Sequence, residues 1–168
     1  MREREFKTKI WRLNDKLFRY ALTILNDREE AEDSCQELYK RLWEMRSELD
    51  GIENLDSYVF RILRNISIDK ARWMQTHAQR LERIELCGEE VSYSPSDLQD
   101  LPNLIQRIVV TMPEHYSTIF HLRDVEGYSM EEISQIVEIE VATARVILSR
   151  ARKYIRDEIV KLMNYGTE

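Results

Sequence analysis

The apolar residues of this chain recur three and four positions apart through most of its length, which is the spacing of one face of an α-helix. Stripes of this kind begin at Phe6, Ala31, Val59, Leu101 and Ala144. Only four glycines and three prolines occur in 168 residues, so long helices joined by short loops are expected. No segment shows the convincing apolar–polar alternation of a half-buried strand. The sequence therefore predicts an all-α fold.

Residues 81–100 differ in composition from the helical segments on either side. They hold six acidic residues and a single arginine, together with one glycine, one proline and three serines. This composition disfavours a helix and indicates a linker that is flexible at least from 88 to 97. We therefore predict two small helical domains, residues 1–80 and 101–168, joined by a flexible acidic linker over 81–100.

Three helices are predicted in the first domain. One stripe covers about residues 4–25, and a second helix follows Asp27, a plausible N-cap with Glu30 three residues later. After a loop at 50–56, a third helix is predicted over about 57–74. Together they form a plausible helical bundle.

The second domain carries stronger helix-end signals. Pro113 can begin a helix, and Gly127 fits a left-handed C-terminal cap. Ser129 and Glu132 have the spacing of a capping box, and a break at 138–141 precedes the final helix. A short helix, a tight turn and a longer helix are the outline of a helix-turn-helix.

Catalytic and metal-binding patterns are absent from the sequence. It has no phosphate-binding glycine loop, nucleophile elbow or zinc signature. His77, His115 and His121 are scattered and are interpreted as surface or partly buried side chains. Cys35 and Cys87 form no C-x-x-C pair. We therefore predict a protein that is not an enzyme and that needs no metal or other cofactor.

Apolar runs in this chain are too short to cross a bilayer, which takes about 20 residues. The N-terminus also lacks the apolar core of a signal peptide. A cytoplasmic protein without membrane insertion is expected.

The net charge of −6 limits how the chain could bind DNA. Residues 1–80 hold 16 basic and 15 acidic residues, and residues 101–168 hold eight and ten. Proteins that bind DNA unaided usually carry a basic surface, because neutralising phosphates supplies most of the non-specific affinity. If this chain contacts DNA, another protein is expected to bring it there.

The second helix of a helix-turn-helix normally enters the major groove. Here that stretch is 142–153, with Ala144, Leu148 and Ala151 predicted to face inward. Arginine can bind guanine through two acceptors, and valine can contact a thymine methyl group. The residues predicted to face the DNA are Thr143, Arg145, Val146, Ser149, Arg150 and Lys153.

Two parts of the chain resemble one family. Residues 112–152 resemble the fourth region of sigma factors, through MPE at 112–114, EG at 126–127 and LSRAR at 148–152. Residues 26–43, NDREEAEDSCQELYKRLW, are similar to the acidic helix of the second region, and residues 57–72 to the helix after it. The two resembling segments follow one another along the chain in the same order as in the family. The chain is identified as resembling the extracytoplasmic-function (ECF) type of the sigma-70 family.

The resemblance implies a role for each segment. It implies polymerase binding, on a basic coiled coil of the largest subunit, by Asp33, Gln36, Glu37, Tyr39 and Trp43. It implies binding of the melted minus-ten element by Asn54, Arg61, Arg64, Asn65, Lys70 and Arg72. The helix at 142–153 would read the minus-thirty-five element. The partners implied are core RNA polymerase, promoter DNA and an anti-sigma factor.

Some positions depart from the family's pattern. Glu138 stands in the turn where glycine is common, and Glu140 where proline is frequent, so a wider or more strained turn is expected. Ile147 stands where many relatives carry arginine. Trp73 either stacks on a base or packs in the core.

Two other functions stay open from the sequence. One is a helix-turn-helix transcriptional regulator that binds DNA without polymerase. The other is an interaction module that occupies polymerase without binding DNA.

Overall fold

The structure, a computed structural model, describes residues 2–82 and 94–165. Within these ranges the chain forms eight α-helices and no β-strand, which confirms the predicted all-α class. The helices are α1 (Glu3–Trp11), α2 (Asn14–Leu25), α3 (Arg28–Glu44), α4 (Leu55–Glu82), α5 (Leu101–Thr111), α6 (Glu114–Phe120), α7 (Met130–Val137) and α8 (Val141–Tyr165). The described residues also form two short 3-10 helices, at Leu49–Gly51 and Pro95–Gln99, and a π-helical turn at His121–Val125.

Helices α1–α4 form the first region. The single helix predicted over 4–25 is wrong, because two helices meet there at Arg12 and Leu13. The Leu13 N–H donates to the Ile10 carbonyl at 3.0 Å, a three-residue turn that separates the two helices. Leu13 nevertheless stays buried, so the apolar stripe continues across the break.

The predicted cap of α3 is confirmed, since the Asp27 carboxylate accepts the Glu30 N–H at 3.0 Å. Helix α4 is longer than the predicted 57–74 and runs to Glu82. Residues 75–82 contain neither glycine nor proline, so nothing in them ends the helix. Residues 83–93 of the predicted linker lie outside the described residues.

Helices α5–α8 form the second region. Its predicted helix ends are confirmed: Gly127 has a φ of +80°, and Ser129 and Glu132 form a reciprocal capping box. Helices α7 and α8 are joined by a short turn at 138–140, as expected for a helix-turn-helix. Ala144, Leu148 and Ala151 are buried as predicted.

The two regions share one hydrophobic core. Tyr20 and Phe60 of the first region belong to the same buried cluster as Tyr128, Ile133 and Ile136 of the second. The Phe60 and Tyr128 rings meet edge to face with their centroids 5.1 Å apart. Helix α4 packs on α7, and α2 on α6, so both regions form one packed unit.

No helix in the described part of the chain is long and apolar enough to span a membrane. Cys35 is a free thiol buried on α3, whereas Cys87 lies outside the described residues.

Candidate functional site

The outer face of α3 is acidic and open to solvent. Asp33, Gln36 and Glu37 are exposed there, and Tyr39 is partly buried. Glu37 forms an ion pair with Arg41 one turn along the helix. An ion pair between exposed side chains contributes little stability, so it can exchange for a partner's cation at small cost.

An aromatic groove runs between α1 and α3. Trp11, 68% exposed, lies 6.3 Å from the Tyr39 ring, and Phe6 meets the Trp43 ring edge to face at 5.3 Å. Gln36 also lines the groove, so the groove continues the predicted docking face. Trp11 and Phe6 were not predicted to belong to this site. The spacing of the apolar stripe that begins at Phe6 predicts buried residues, but Trp11 lies on the solvent-facing side of that stripe.

Five of the six residues predicted for the minus-ten element lie on α4, and Asn54 directly precedes this helix. Arg61, Asn65 and Arg72 follow one line along the helix, with Asn65 and Arg72 exposed. Lys70 lies on the opposite side, where it pairs with Glu30 of α3 at 2.5 Å and with Asp33 at 3.8 Å. The structure therefore separates Lys70 from the other five candidates.

Three of these candidates contact the second region. Arg61 pairs with Glu138 at 3.4 Å, and Arg64 pairs with Glu114 at 3.2 Å. Asn54 caps α4 by accepting the Ser57 N–H at 3.0 Å, while its amide Nδ2 lies 3.5 Å from Gln135 Oε1.

Trp73 is 58% exposed and stacks on His77 at 3.8 Å, so it lies outside the core. Trp73 was predicted either to stack on a base or to pack in the core, and the prediction of core packing is wrong.

All six residues predicted to read the minus-thirty-five element are exposed on α8: Thr143, Arg145, Val146, Ser149, Arg150 and Lys153. Arg145 lies 3.7 Å from Glu131 of α7, and both side chains are well exposed. The candidate readers share a single surface that DNA could reach.

Glu138 ends α7 with a left-handed backbone, φ +58° and ψ +44°. This conformation costs a residue with a Cβ atom about 1–2 kcal/mol, whereas glycine adopts it freely. The strained turn expected from Glu138 is therefore present, and its carboxylate is directed toward Arg61 of the first region.

A buried polar cluster, which was not predicted from the sequence, lies where the two regions meet. His121, interpreted as a surface or partly buried side chain, is only 1% exposed and stands at the first position of the π turn. Its Nε2 donates to Glu126 Oε1 at 3.1 Å, and its Nδ1 lies 3.0 Å from Thr23 Oγ1. Arg19 donates two hydrogen bonds to Glu126, both at 2.9 Å.

The charge of Glu126 depends on these partners. Burial would raise the pKa of this carboxyl, but the hydrogen bonds and charges of His121 and Arg19 outweigh burial and lower the pKa to about 2. Glu126 is thus ionised near neutral pH, and the cluster stabilises the contact between the regions.

No group of three or more side chains suited to hold a metal ion occurs among the described residues.

Two family models match the chain in sequence. Residues 11–75 match Sigma-70 region 2, and residues 103–155 match Sigma-70, region 4. The ECF RNA polymerase sigma factor SigW of Bacillus subtilis is 25% identical over 156 residues, which cover 86% of this chain and 83% of that protein.

Two solved structures share the fold. The sigma factor RpoE of Bartonella quintana, solved in complex with the anti-sigma factor NepR, superimposes with a TM-score of 0.70 at 22% identity. The match covers 94% of this chain and 98% of that one. CnrH, solved with the cytosolic domain of CnrY, gives a TM-score of 0.70 at 16% identity, covering 95% and 90%.

The first region contains the segment matched to sigma region 2, and the second region contains the segment matched to region 4, in the order in which the sequence placed them. The chain belongs to the sigma-70 family, as a sigma factor of the extracytoplasmic-function type.

Proposed function

We propose that this chain binds core RNA polymerase and directs it to recognise and open promoters. The observation that carries the proposal is that regions 2 and 4 of the sigma-70 family both match this chain. Residues 1–80 and 101–168 are the two functional domains, and 81–100 joins them. The protein acts in the cytoplasm by binding and is not itself a catalyst.

The outer face of α3 and the aromatic groove form the polymerase-binding surface. Asp33, Gln36 and Glu37 supply exposed polar and acidic groups, while Tyr39 and Trp43 supply apolar area beside them. Acidic groups around an aromatic patch suit a basic partner surface, since the charges guide association and the rings contribute most of the affinity. A basic coiled coil of the polymerase fits this description.

The exposed line on α4 and the exposed face of α8 are the two DNA-binding surfaces. On α4, Asn65 reads a base taken out of the stack in the minus-ten element, while Arg61 and Arg72 contact phosphates. On α8, Arg145 and Arg150 contact guanine and Val146 contacts a thymine methyl group in the minus-thirty-five element.

An anti-sigma factor is proposed as a further partner, because RpoE and CnrH, which share the fold, were solved with NepR and CnrY. By covering the α3 face or keeping the two regions from the promoter, such a partner would prevent initiation.

Run-off transcription with purified core polymerase tests the proposal. The chain should produce a specific transcript from a promoter selected with the polymerase complex, whereas core alone should not. A gel shift without polymerase separates this function from a polymerase-independent regulator. Tight binding of promoter DNA by the free chain, or polymerase binding without any transcript, would contradict the proposal.

A further inference from the structure

Two aromatic rings are stacked on the surface of α4, in the last third of the helix. The Trp73 and His77 rings, one helical turn apart, have their centroids 3.8 Å apart and their planes 27° from parallel. His77 packs on one side of the indole, yet Trp73 stays mostly exposed. Burial in the core therefore does not explain the pair, and the indole is accessible to a ligand.

The two rings are held in place before any ligand binds. The His77 Nδ1 donates a hydrogen bond to the Trp73 carbonyl oxygen at 2.9 Å, since a carbonyl oxygen can only accept. This bond and the stacking restrict the rotamers of both side chains. Ordering a flexible side chain on binding normally weakens affinity. A ligand that stacks on Trp73 therefore meets a surface that is already ordered.

The surroundings of the Trp73 and His77 pair are polar. On a helix the nearest neighbours of Trp73 are the residues three and four positions away, which are Asp69, Lys70, Thr76 and His77. The centre of a protein–protein interface, by contrast, is depleted in charged residues and rich in apolar ones. A nucleic-acid base, which is flat and has polar edges, fits a single ring among polar groups better than an apolar protein surface does.

The pair also continues the exposed line of α4 that is proposed to hold the minus-ten strand. Trp73 directly follows Arg72 and lies eight residues beyond Asn65. At 1.5 Å per residue, it is about 12 Å along the helix axis from this proposed base reader. Arg72 lies 3.9 Å from Asp69, and both side chains are well exposed, so this weak pair can be exchanged for a phosphate. A strand that contacts Asn65 and Arg72 would pass beside the Trp73 ring.

We propose that Trp73 and His77 form a stacking site for an unpaired base of the promoter, on the same strand as the base that Asn65 reads. The base stacks on the open face of the indole, and His77 supports the opposite face. Stacking tolerates any sequence because every base has a π face. Asn65 therefore selects the sequence, whereas Trp73 and His77 hold the melted strand. This inference rests on the proposed function and adds a second contact to its minus-ten site.

The test uses the full chain in complex with saturating core polymerase, and a promoter melted beforehand around the minus-ten element. A fluorescent adenine analogue, whose emission falls when it stacks on an aromatic ring, replaces one base at a time along the unpaired strand. At one position we expect lower emission in the unaltered complex than in the Trp73→Leu complex. Trp73→Leu should also weaken binding of the melted promoter about 5- to 150-fold in competition gel shifts, whichever base stands at that position.

Two further substitutions show whether the aromatic ring itself is responsible. Trp73→Tyr keeps an aromatic face and should weaken binding by no more than about threefold. Gln75→Leu introduces the same leucine at another exposed position of α4 and should leave binding within about twofold. Circular dichroism is used to check that the helices are retained. If either variant bound as weakly as Trp73→Leu, stacking would not account for the loss and the inference would be overturned.

His77→Ala tests the second ring. Without His77 the indole loses its support, so the difference in emission at the stacking position should become smaller. An unchanged difference would overturn the two-ring site. Unchanged binding by Trp73→Leu, or equal emission in the two complexes at every position, would overturn the inference as a whole.

Failure of the inference can be told apart from failure of the proposed function. If the unaltered protein supports run-off transcription but Trp73→Leu binds the melted promoter normally, only the inference fails. If Trp73→Leu weakens binding as expected but no protein form supports transcription, the proposed function fails instead.

Discussion

Arg19 of α2 and Glu126, just after the π turn, form a two-point ion pair across the boundary between the first and second regions. They are 107 positions apart in sequence, and both N–O distances are 2.9 Å. The Glu126 side chain is 1% exposed, whereas that of Arg19 is 46% exposed. A buried carboxylate must be fully paired, because one left without its partners strongly destabilises the fold. The pair therefore makes the stability of the chain depend on how its two regions dock.

Glu126→Gln tests this dependence. The variant loses the charge that Arg19 and His121 satisfy, so we expect the free energy of unfolding at neutral pH to fall by roughly 1–3 kcal/mol. Denaturant titration followed by circular dichroism measures it. Glu29→Gln, an exposed change on α3, should alter stability by less than about 0.5 kcal/mol. An equal loss in both variants would show that the Glu126 cluster has no special role.

The same carboxyl gives a pH dependence with a definite sign. Its pKa is about 2 in the folded protein, against an ordinary value of 4.5. The stabilisation is fully present above pH 4.5 and is lost as the pH falls toward 2. The stability difference between the unaltered protein and Glu126→Gln should therefore shrink over this interval in denaturant titrations at stepped pH. A constant difference would contradict the assignment.

Trp11 should matter for polymerase binding. Trp11→Ala removes the most exposed ring of the aromatic groove, and loss of a large aromatic contact in an interface typically costs about 2 kcal/mol or more. We therefore expect affinity for core polymerase to fall at least about tenfold in a fluorescence or surface-binding assay. Because the ring is 68% exposed, the thermal unfolding midpoint should hardly change.

Trp73→Ala is the matched control for Trp11, because this tryptophan is 58% exposed but lies on α4, away from the groove. It should leave polymerase affinity unchanged. If the two substitutions weakened polymerase binding equally, the groove would not be the docking surface.

Much of the fold follows from local rules, and those parts could be predicted from the sequence. The stripe from Phe6 to Tyr20, the cap at Asp27 and the box at Ser129 each depend on residues within a turn or two of one another. Such neighbours are fixed by helical geometry alone. The left-handed cap at Gly127 was predicted from the same local rules, whereas the wider or more strained turn at Glu138 was expected from the resemblance to sigma factors, in which glycine is common at that position.

The contacts between the regions could not be obtained in this way. Arg61 was assigned to DNA through the resemblance to sigma factors, and nothing nearby in sequence shows that Glu138 lies opposite it. His121 is buried against Thr23 of α2, which lies 98 positions away in sequence, so no local pattern could predict this contact. Lys70 was grouped with its neighbours in the motif, although five positions beyond Asn65 on a helix it faces the other way.

Arg150→Ala tests base reading by α8 in the complex with polymerase. A two-acceptor contact to guanine contributes about 1–3 kcal/mol of discrimination. We expect a loss of that size on the preferred upstream sequence and little loss on a sequence with that base pair changed. Competition gel shifts with both duplexes measure the difference.

Arg156→Ala, an exposed change further along α8, is the control for Arg150→Ala. If it weakens DNA binding at all, it should weaken binding to both duplexes to the same small extent. A uniform loss for Arg150→Ala would mean that Arg150 contacts phosphate only.

Asn65→Ala separates promoter opening from polymerase binding. Asn65 is exposed on the line of α4 that also carries Arg61 and Arg72, whereas the proposed docking face lies on α3. The variant should therefore bind core polymerase normally but lose a hydrogen bond to a flipped base, at a cost of about 1–3 kcal/mol. Run-off transcription from duplex promoter should fall about tenfold or more. Gln75→Ala, a change of another exposed amide on the same helix, should support transcription like the unaltered protein.

A template melted beforehand around the minus-ten element distinguishes the two ways in which Asn65 could act. If Asn65 reads the base, the defect persists on this template; if it only helps separate the strands, the melted template restores transcription and the assignment as a base reader is wrong.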